Sequence, residues 1–408
     1  MRHHRPGIGG NSFMNILWYS TAPWSPSSYS VLTARTVPNI ARAGHIVSVG
    51  TWYGLQGQPL PWSIKDYDGV PVMVYPSGDG PNFSQDVLVP LYRYTQSDIL
   101  ITVSDVWPFD PRITDQTIFC PWLPIDMDPA PKVVVDAVKS AVYPMVMSSW
   151  GTQVLKDSGI DCAFVPASAP SKLFKPGPKD KAREMLGFPK DAFIIGAVAA
   201  NKDPADRKGL RVMLQAFAKF REKYPNSYLY LHTNFGGSVP IGEVLELLKL
   251  TSEDDQSVIA PDPMAYRLGL LDQTYMVNVY QSIDVLLNLP LSEGFGLPLL
   301  EAQMCGCPVI ATDFSTTDEM LWAGWKVQGQ KDIAVGLNSF RMYVDVNNAI
   351  YAIEDAYHQR DNETMRNDAR KGALSLDTDR VYRKYWKPAL AEMQQLVDKN
   401  KEVAAVPA

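Results

Sequence analysis

The sequence predicts an α/β protein made of two Rossmann-type units. Short apolar runs that suit buried strands alternate with amphipathic helical segments in both halves of the chain. The chain has 408 residues, of which 46% are apolar, and such a length is typical of about two domains with full cores. We find no internal repeat at a fixed short period.

A βαβ opening is predicted near the start of the chain, after a disordered leader at residues 1–13. Residues 15–20 form an apolar run, residues 29–43 form a helical segment that ends before Gly44, and residues 46–49 form the next apolar run. Ligands of α/β sheets bind at the loops that follow the carboxyl ends of the strands. The loop after the first strand is therefore a candidate binding loop.

Aromatic and polar side chains follow several predicted strand ends in this half, including the end of the buried strand at residues 98–103. Flat aromatic rings suit sugar rings or bases, although tryptophan is also ordinary core filling. We favour a binding cleft that includes one or two of the tryptophans. The candidates in this half are Ser27, Ser28, Trp24, Asp105 and Trp107.

The second half is organised around residues 291–313. A turn at residues 292–296 precedes a helix start at Leu297 and Pro298, and residues 308–312 form a buried strand. Gly294 and Gly296 allow the backbone to approach a ligand closely. The helix N-terminus has free N–H groups and the positive end of the helix dipole, so we expect it to bind a phosphate.

Charged residues of both signs accompany this anion site. Glu293 and Glu301 lie on either side of it with seven residues between them, and carboxylates accept hydrogen bonds from hydroxyls. Arg207 and Lys208 follow the predicted strand at residues 193–198, and cations at such a loop suit a diphosphate. Hydroxyl-binding acids beside a phosphate site indicate a sugar nucleotide.

The segment EGFGLPLLEA, followed by GCPVIATD, resembles the Glu-seven-residues-Glu signature of retaining glycosyltransferases of family 4. This resemblance implies the GT-B fold, with two Rossmann-like domains facing across a cleft and a C-terminal helix crossing back to the first domain. The domains are then residues 14–170 for the acceptor and 171–378 for the donor, followed by the helix and tail at 379–408. Residues 167–182 are rich in Pro, Lys and Ser and mark the boundary.

The resemblance also implies a retaining, hexosyltransferase-like enzyme that takes a nucleotide-diphosphate sugar as co-substrate and needs no other cofactor. The catalytic candidates are Glu293, Arg207 and Lys208. The donor-binding candidates are Gly294, Phe295, Gly296, Leu297 and Glu301. Relatives carry a histidine near the sugar in the N-terminal half, and here that role is vacant or filled by another residue such as Asp105.

Other functions and partners stay open at this point. A sugar-nucleotide epimerase or hydrolase on the same fold, or a non-catalytic nucleotide-sugar binder, are the alternatives. The acceptor is a protein, a glycan, a lipid-linked sugar or a modified nucleic acid base, and the sequence does not fix the oligomeric state. The Asp126-Met127-Asp128 stretch has the spacing of a metal motif, but we interpret it as a loop of the acceptor half and expect no metal site.

Composition excludes some classes of function. A net charge of −6 gives no global basic field for nucleic acid or anionic membranes. The four cysteines form neither a disulfide framework nor a zinc motif, so we expect a reducing cytoplasm. We expect no signal peptide, because the N-terminal residues lack an apolar core segment, and no membrane span, because no apolar run reaches the ~20 residues that a span needs.

Overall fold

The structure is a computed structural model that describes residues 13–65, 67–251 and 256–405. The predicted leader at residues 1–13 lies outside the described residues except for Phe13. The chain forms two compact units. The first contains the residues up to Leu123 together with Ala137–Met145 and the residues from Tyr382 onward, and the second contains Pro124–Asp136 and Val146–Val381.

The chain as far as residue 123 forms the following elements in order: β1 (Asn15–Ser20), α1 (Ser28–Arg42), β2 (Ile46–Thr51), β3 (Leu60–Trp62), β4 (Val72–Tyr75), α2 (Pro81–Tyr94), β5 (Ile99–Thr102), a 3-10 turn (Pro111–Asp115) and β6 (Trp122–Leu123). The sheet of the first unit has the strand order β3-β4-β2-β1-β5. Its pairs are parallel except for β3 with β4. The predicted βαβ opening is therefore present, and the loops after β1, β2 and β5 lie at one edge of this sheet.

The C-terminal residues complete the core of the first unit. Trp386 is 2% exposed, and its ring centroid lies 5.6 Å from that of Trp18 and 4.9 Å from that of Trp122. At the surface, the Tyr143 hydroxyl donates to Glu392 at 2.6 Å, and Lys401 pairs with Asp98 at 2.7 Å. The residues from Tyr382 onward thus belong to the first unit by both their apolar and their charged contacts.

The rest of the chain begins with α3 (Lys132–Val138), β7 (Met145–Val146), α4 (Ser149–Asp157), β8 (Ala163–Phe164), α5 (Lys179–Leu186), β9 (Phe193–Val198), α6 (Leu210–Lys223), β10 (Ser227–His232), α7 (Ile241–Leu247), β11 (Val258–Ile259), α8 (Pro263–Arg267), α9 (Gln273–Ser282) and β12 (Val285–Asn288). It continues with α10 (Leu297–Met304), β13 (Val309–Thr312), α11 (Thr316–Glu319), β14 (Gly324–Val327), β15 (Gly329–Ala334), β16 (Ser339–Val344), α12 (Val346–His358), α13 (Glu363–Ala373), a 3-10 turn (Leu374–Leu376), α14 (Thr378–Val381), a π-helical turn (Tyr382–Trp386) and α15 (Lys387–Ala405).

The second unit contains a sheet in which every pair of neighbouring strands is parallel. Its strand order is β11-β10-β9-β12-β13-β14. The inner strands β9, β12 and β13 are nearly continuous buried apolar runs, as expected for a parallel sheet covered on both faces. The carboxyl ends of β9, β10 and β12 therefore lie at one edge, and the loops that leave them carry most of the predicted site.

The predicted boundary near residue 170 lies inside the second unit. The segment at residues 167–182 contains many residues that break regular structure, but an irregular segment still packs when its backbone groups find partners. Phe174 is fully buried, and Arg370 donates to the carbonyls of Phe174 and Met304, both at 2.6 Å. The Ser171 N–H donates to the Asp377 carboxylate at 3.1 Å.

No helix within the described part of the chain is both long enough and apolar enough to cross a membrane.

Candidate functional site

The loop between β12 and α10 ends in an open helix N-terminus. Gly296 precedes the helix with φ 92°, a left-handed conformation that favours glycine, and Pro298 lies in the first turn. The carbonyl of Gly296 accepts from the N–H groups of Leu299 and Leu300. Among the described residues, no side chain caps this helix. The N–H groups of its first turn are therefore available to an anion, and phosphate binding at this helix stays a prediction.

Glu293 is held in place by its backbone and its carboxylate. Its N–H donates to Ser315 Oγ at 3.1 Å, and its carbonyl accepts from Thr316 Oγ1 at 2.8 Å. Its carboxylate pairs with Lys208 Nζ and accepts from the Phe295 N–H. Burial alone would raise the pKa of Glu293, but the charges of Lys208 and Arg207 hold that pKa below its ordinary value. Glu293 is therefore a fixed, ionised acceptor.

Lys208 lies on the loop between β9 and α6, and its side chain is 20% exposed. Burial lowers the pKa of Lys208, and the charge of Glu293 opposes this shift. The next residue, Gly209, has φ 69°, and a Cβ there would lie 1.9 Å from the carbonyl oxygen of Leu289. Only glycine allows the two loops to approach this closely.

Arg207 joins the same two loops. Its carbonyl accepts from the Leu291 N–H at 2.7 Å, and its Nη1 donates to the Ser292 carbonyl at 2.9 Å. The guanidinium also lies near two carboxylates, with 3.6 Å from Nη1 to Asp126 and 3.5 Å from Nε to Asp203. The structure therefore brings all three predicted catalytic side chains together.

The Asp126-Met127-Asp128 stretch lies in a different unit from the one that the sequence predicts. The sequence predicts a loop of the acceptor half, whereas the stretch belongs to the second unit. Ser292 Oγ donates to the Asp126 carboxylate at 3.3 Å. Sequence position placed this stretch among the strands of the first half, and only tertiary packing shows that it joins the second. The Asp-x-Asp spacing was its one visible signal.

Glu301 lies in the second turn of α10 and is 8% exposed. Its carboxylate accepts from the hydroxyl of Tyr280, a buried residue of α9, at 2.9 Å. This bond fixes the orientation of the carboxylate. The sequence predicted that Glu301 binds a ribose, and that role stays a prediction.

An aromatic cluster around His232 lies at the end of β10, where no site residue was predicted. The Tyr230 hydroxyl lies 2.9 Å from His232 Nδ1 and donates to the Tyr275 hydroxyl at 3.2 Å. The ring of Tyr266 packs 5.1 Å from that of His232. Burial lowers the pKa of His232 to about 4, so this imidazole is neutral at pH 7. The tyrosines that alternate with leucines in YLYLH were the available signal.

Two buried polar side chains lie at the same edge of this sheet. Thr233 follows β10, and Asn288 ends β12. Thr233 Oγ1 and Asn288 Nδ2 have no hydrogen-bond partner among the described residues. Buried polar atoms without partners cost stability, and a bound polar ligand is one way to satisfy them.

The predicted acceptor residues lie in the first unit, and their environments differ. Ser27 caps α1, since its Oγ accepts from the Ser30 N–H at 3.1 Å, and Ser28 is the first residue of that helix. Asp105 accepts from the Tyr29 hydroxyl at 3.2 Å. Trp24 and Trp107 are 47% and 55% exposed, so the core-filling alternative does not describe these two rings.

Within the described residues, no group of three or more His, Cys, Asp or Glu side chains could hold a metal ion. Whether the reaction needs a metal stays a prediction. Cys305 and Cys307 are buried, and burial raises the pKa of both thiols. These two cysteines are therefore inert packing residues at neutral pH.

The part of the chain that carries these features also matches a known family. Residues 192–336 match the model of the family described as Glycosyl transferases group 1. The chain is 33% identical over 161 residues to a D-inositol 3-phosphate glycosyltransferase of Corynebacterium jeikeium, which covers 37% of this chain and 36% of that protein. The chain thus spans about a third of the length of the first relatives that it matches.

Solved structures match over nearly the whole chain. Sucrose-phosphate synthase from Thermosynechococcus elongatus has a TM-score of 0.69 at 17% identity, covering 96% of this chain and 100% of that one. HepE of Anabaena, in complex with UDP and glucose, has a TM-score of 0.64 at 16% identity, with coverage of 96% and 100%. These matches confirm the predicted fold class, an α/β fold with parallel sheets like that of GT-B glycosyltransferases.

Proposed function

We propose that this protein is a retaining glycosyltransferase that moves a sugar from a nucleotide-diphosphate sugar to a hydroxyl-bearing acceptor without a metal ion. The observation that carries the proposal is the meeting of Arg207, Lys208 and Glu293 beside the uncapped N-terminus of α10. This arrangement offers cations and N–H groups to a diphosphate and a fixed carboxylate to hydroxyl groups. A sugar nucleotide has both parts.

The chemistry follows from where charge develops. The bond between the anomeric carbon and the diphosphate oxygen breaks, and a bond from that carbon to the acceptor oxygen forms. Arg207, Lys208 and the N–H groups of α10 stabilise the negative charge on the leaving diphosphate. The proton of the acceptor hydroxyl passes to the leaving phosphate on the same face of the sugar, which retains the anomeric configuration.

Two carboxylates position the donor in this proposal. Glu293, ionised beside Lys208, orients the hydroxyls of the transferred sugar. Glu301, whose orientation is fixed by Tyr280, accepts from the ribose hydroxyls. The aromatic cluster around His232 and the unpartnered Thr233 and Asn288 lie on the same sheet edge and are available to the nucleoside.

The relatives support this class of reaction. The matched relatives are named as D-inositol 3-phosphate glycosyltransferases, and HepE was solved with UDP and glucose. The first unit is the proposed acceptor unit, because Trp24 and Trp107 present exposed rings after β1 and β5, at one edge of its sheet. Such rings suit the apolar face of a sugar.

A thermal-shift panel of nucleotide sugars and free nucleoside diphosphates, without added metal, tests the donor site. A ligand at ~100 times its Kd adds about 2.7 kcal/mol of stability. We expect Arg207→Ala and Glu301→Ala to remove the shift while both variants stay folded. Lys202→Ala is the matched control, since it removes an exposed cation from the same loop and should keep the shift. Unchanged nucleotide affinity in both site variants would contradict the site assignment.

Turnover separates the alternatives. A transferase forms product only when an acceptor is present, an epimerase or hydrolase converts the donor alone, and a binder does neither.

A further inference from the structure

The segment at residues 124–130 contacts other parts of the second unit at several points. Pro124 packs against Gly294 so closely that a Cβ on Gly294 would lie 2.4 Å from the Pro124 Cβ. The carbonyl of Asp128 accepts from the Phe340 N–H at 3.2 Å, and that of Pro129 accepts from Ser339 Oγ at 2.6 Å. Asp126 lies between these contacts, so its position is set by the segment around it.

Asp126 brings a third carboxylate to a site already containing Glu293 and Asp203. Its Oδ2 lies 3.6 Å from Arg207 Nη1, and the two side chains are 30% and 26% exposed. Asp203 has an evident local role, because its Oδ1 accepts from the Ala205 N–H at 2.9 Å within the same loop. Asp126, in contrast, reaches Arg207 from a segment about 80 residues away in the sequence, and both side chains are partly buried.

We propose that Asp126 is a positioning residue that competes with the diphosphate for Arg207 and disfavours the free nucleoside diphosphate more than the nucleotide sugar. This inference rests on the proposed function. The phosphate of a free nucleoside diphosphate ionises a second time with a pKa near 6, whereas that oxygen is blocked by the sugar in the donor. The product therefore carries about one more negative charge, and repulsion from Asp126 grows with that charge.

The functional consequence concerns product release. Release limits the turnover of many transferases and other enzymes with closed sites. A fixed carboxylate beside the phosphate-binding arginine weakens the hold on the more highly charged product. It also keeps Arg207 oriented when no donor is bound.

Calorimetric titration of Asp126→Asn tests this. The probes are UDP with UDP-glucose, GDP with GDP-mannose and ADP with ADP-glucose. For the pair of ligands that binds the wild-type protein, we expect Asp126→Asn to bind the nucleoside diphosphate about tenfold more tightly. The same variant should bind the sugar nucleotide about threefold more tightly. Gains of this size correspond to the loss of one partly screened charge interaction. At pH 5 the extra charge of the product is largely lost, so the two gains should become equal.

Two variants act as controls. Asp128→Asn removes a carboxylate from the same segment, and the structure shows no ion pair of Asp128 among the described residues, so both affinities should stay unchanged. Ser292→Ala removes a hydrogen bond to Asp126 but keeps its charge, so the ratio of the two affinities should stay within about twofold of the wild-type value. The inference is overturned if, at pH 7, Asp126→Asn changes the affinities for the nucleoside diphosphate and the sugar nucleotide by the same factor. It is also overturned if the variant binds both ligands more weakly.

Failure of the proposed function gives a different result. In that case none of these nucleotides binds the wild-type protein, and inorganic pyrophosphate serves as the probe. Tighter pyrophosphate binding by Asp126→Asn then supports the competition for Arg207, and unchanged or weaker binding refutes it.

Discussion

Glu293→Gln tests how the pair with Lys208 contributes to the second unit. The change keeps the size of the side chain and removes its charge. Lys208 then stays in a position where its side chain is 20% exposed, with the guanidinium of Arg207 nearby and its main counter-charge gone. We expect the second unit to lose stability although no contact area is lost.

The magnitude follows from the burial of the pair. Removal of one partner from a fully buried ion pair costs about 3–5 kcal/mol, because the other charge is left without compensation. Glu293 is 12% exposed, so water reaches the pair to some extent. We therefore expect a loss of about 2–3 kcal/mol, equal to roughly 1 M in the urea midpoint. The double variant Lys208→Met, Glu293→Gln should recover all but about 1 kcal/mol.

The assay must report on the second unit alone, because a protein with two units need not unfold in one step. Hydrogen exchange of peptides from β12 and β13, followed by mass spectrometry across a urea series, provides this. Peptides from β1 and β2 are the internal control and should not change. If the double variant loses as much as the sum of the two single variants, the pair is not coupled and the reasoning is refuted.

The stability that Glu293 contributes depends on pH with a defined sign. The folded pKa of Glu293 lies below the ordinary value of 4.5, so its contribution is complete above that pH and is lost as the pH falls through the folded pKa. The stability difference between wild type and Glu293→Gln should therefore be constant from pH 5 to pH 7 and should shrink below about pH 4.5. A difference that grows in acid would contradict this assignment.

Two further substitutions test the architecture. Gly209→Ala places a Cβ 1.9 Å from the Leu289 carbonyl oxygen at a backbone φ of 69°. We expect this variant to lose more than about 2 kcal/mol of stability in thermal melting. Gly242→Ala is the control, because its Cβ would lie in open space, and it should be neutral or slightly stabilising. Trp386→Ala should destabilise the first unit by about 3–5 kcal/mol in urea unfolding. Trp386→Phe keeps an aromatic ring and should lose less than half of that stability. If both variants lose the same amount, the ring contacts with Trp18 and Trp122 do not stabilise the unit.

The local sequence pattern accurately predicted the elements that carry the site. A strand at residues 193–198 and a helix start at Leu297 were predicted with the bounds that the structure has. Their signals are local, because a buried parallel strand is a continuous apolar run and the helix follows a glycine. Gly296 was predicted to permit close approach, and its φ of 92° agrees with that role.

Contacts between distant segments could not be predicted in this way. The place of Asp126 beside Arg207 depends on how residues 124–136 pack, and no periodicity encodes such packing. The hairpin of β15 and β16 was also not predicted. The boundary was misplaced because proline and lysine content was given more weight than burial, although Phe174 is fully buried.

The distribution of Trp18, Trp122 and Trp386 has a consequence for synthesis on the ribosome. The chain emerges at about 5–20 residues per second, and N-terminal domains commonly fold before the rest is made. Here the first unit cannot close its core until Trp386 has left the exit tunnel, and by then the residues of the second unit have already been translated. The core around β1 is therefore completed only after the second unit has been made.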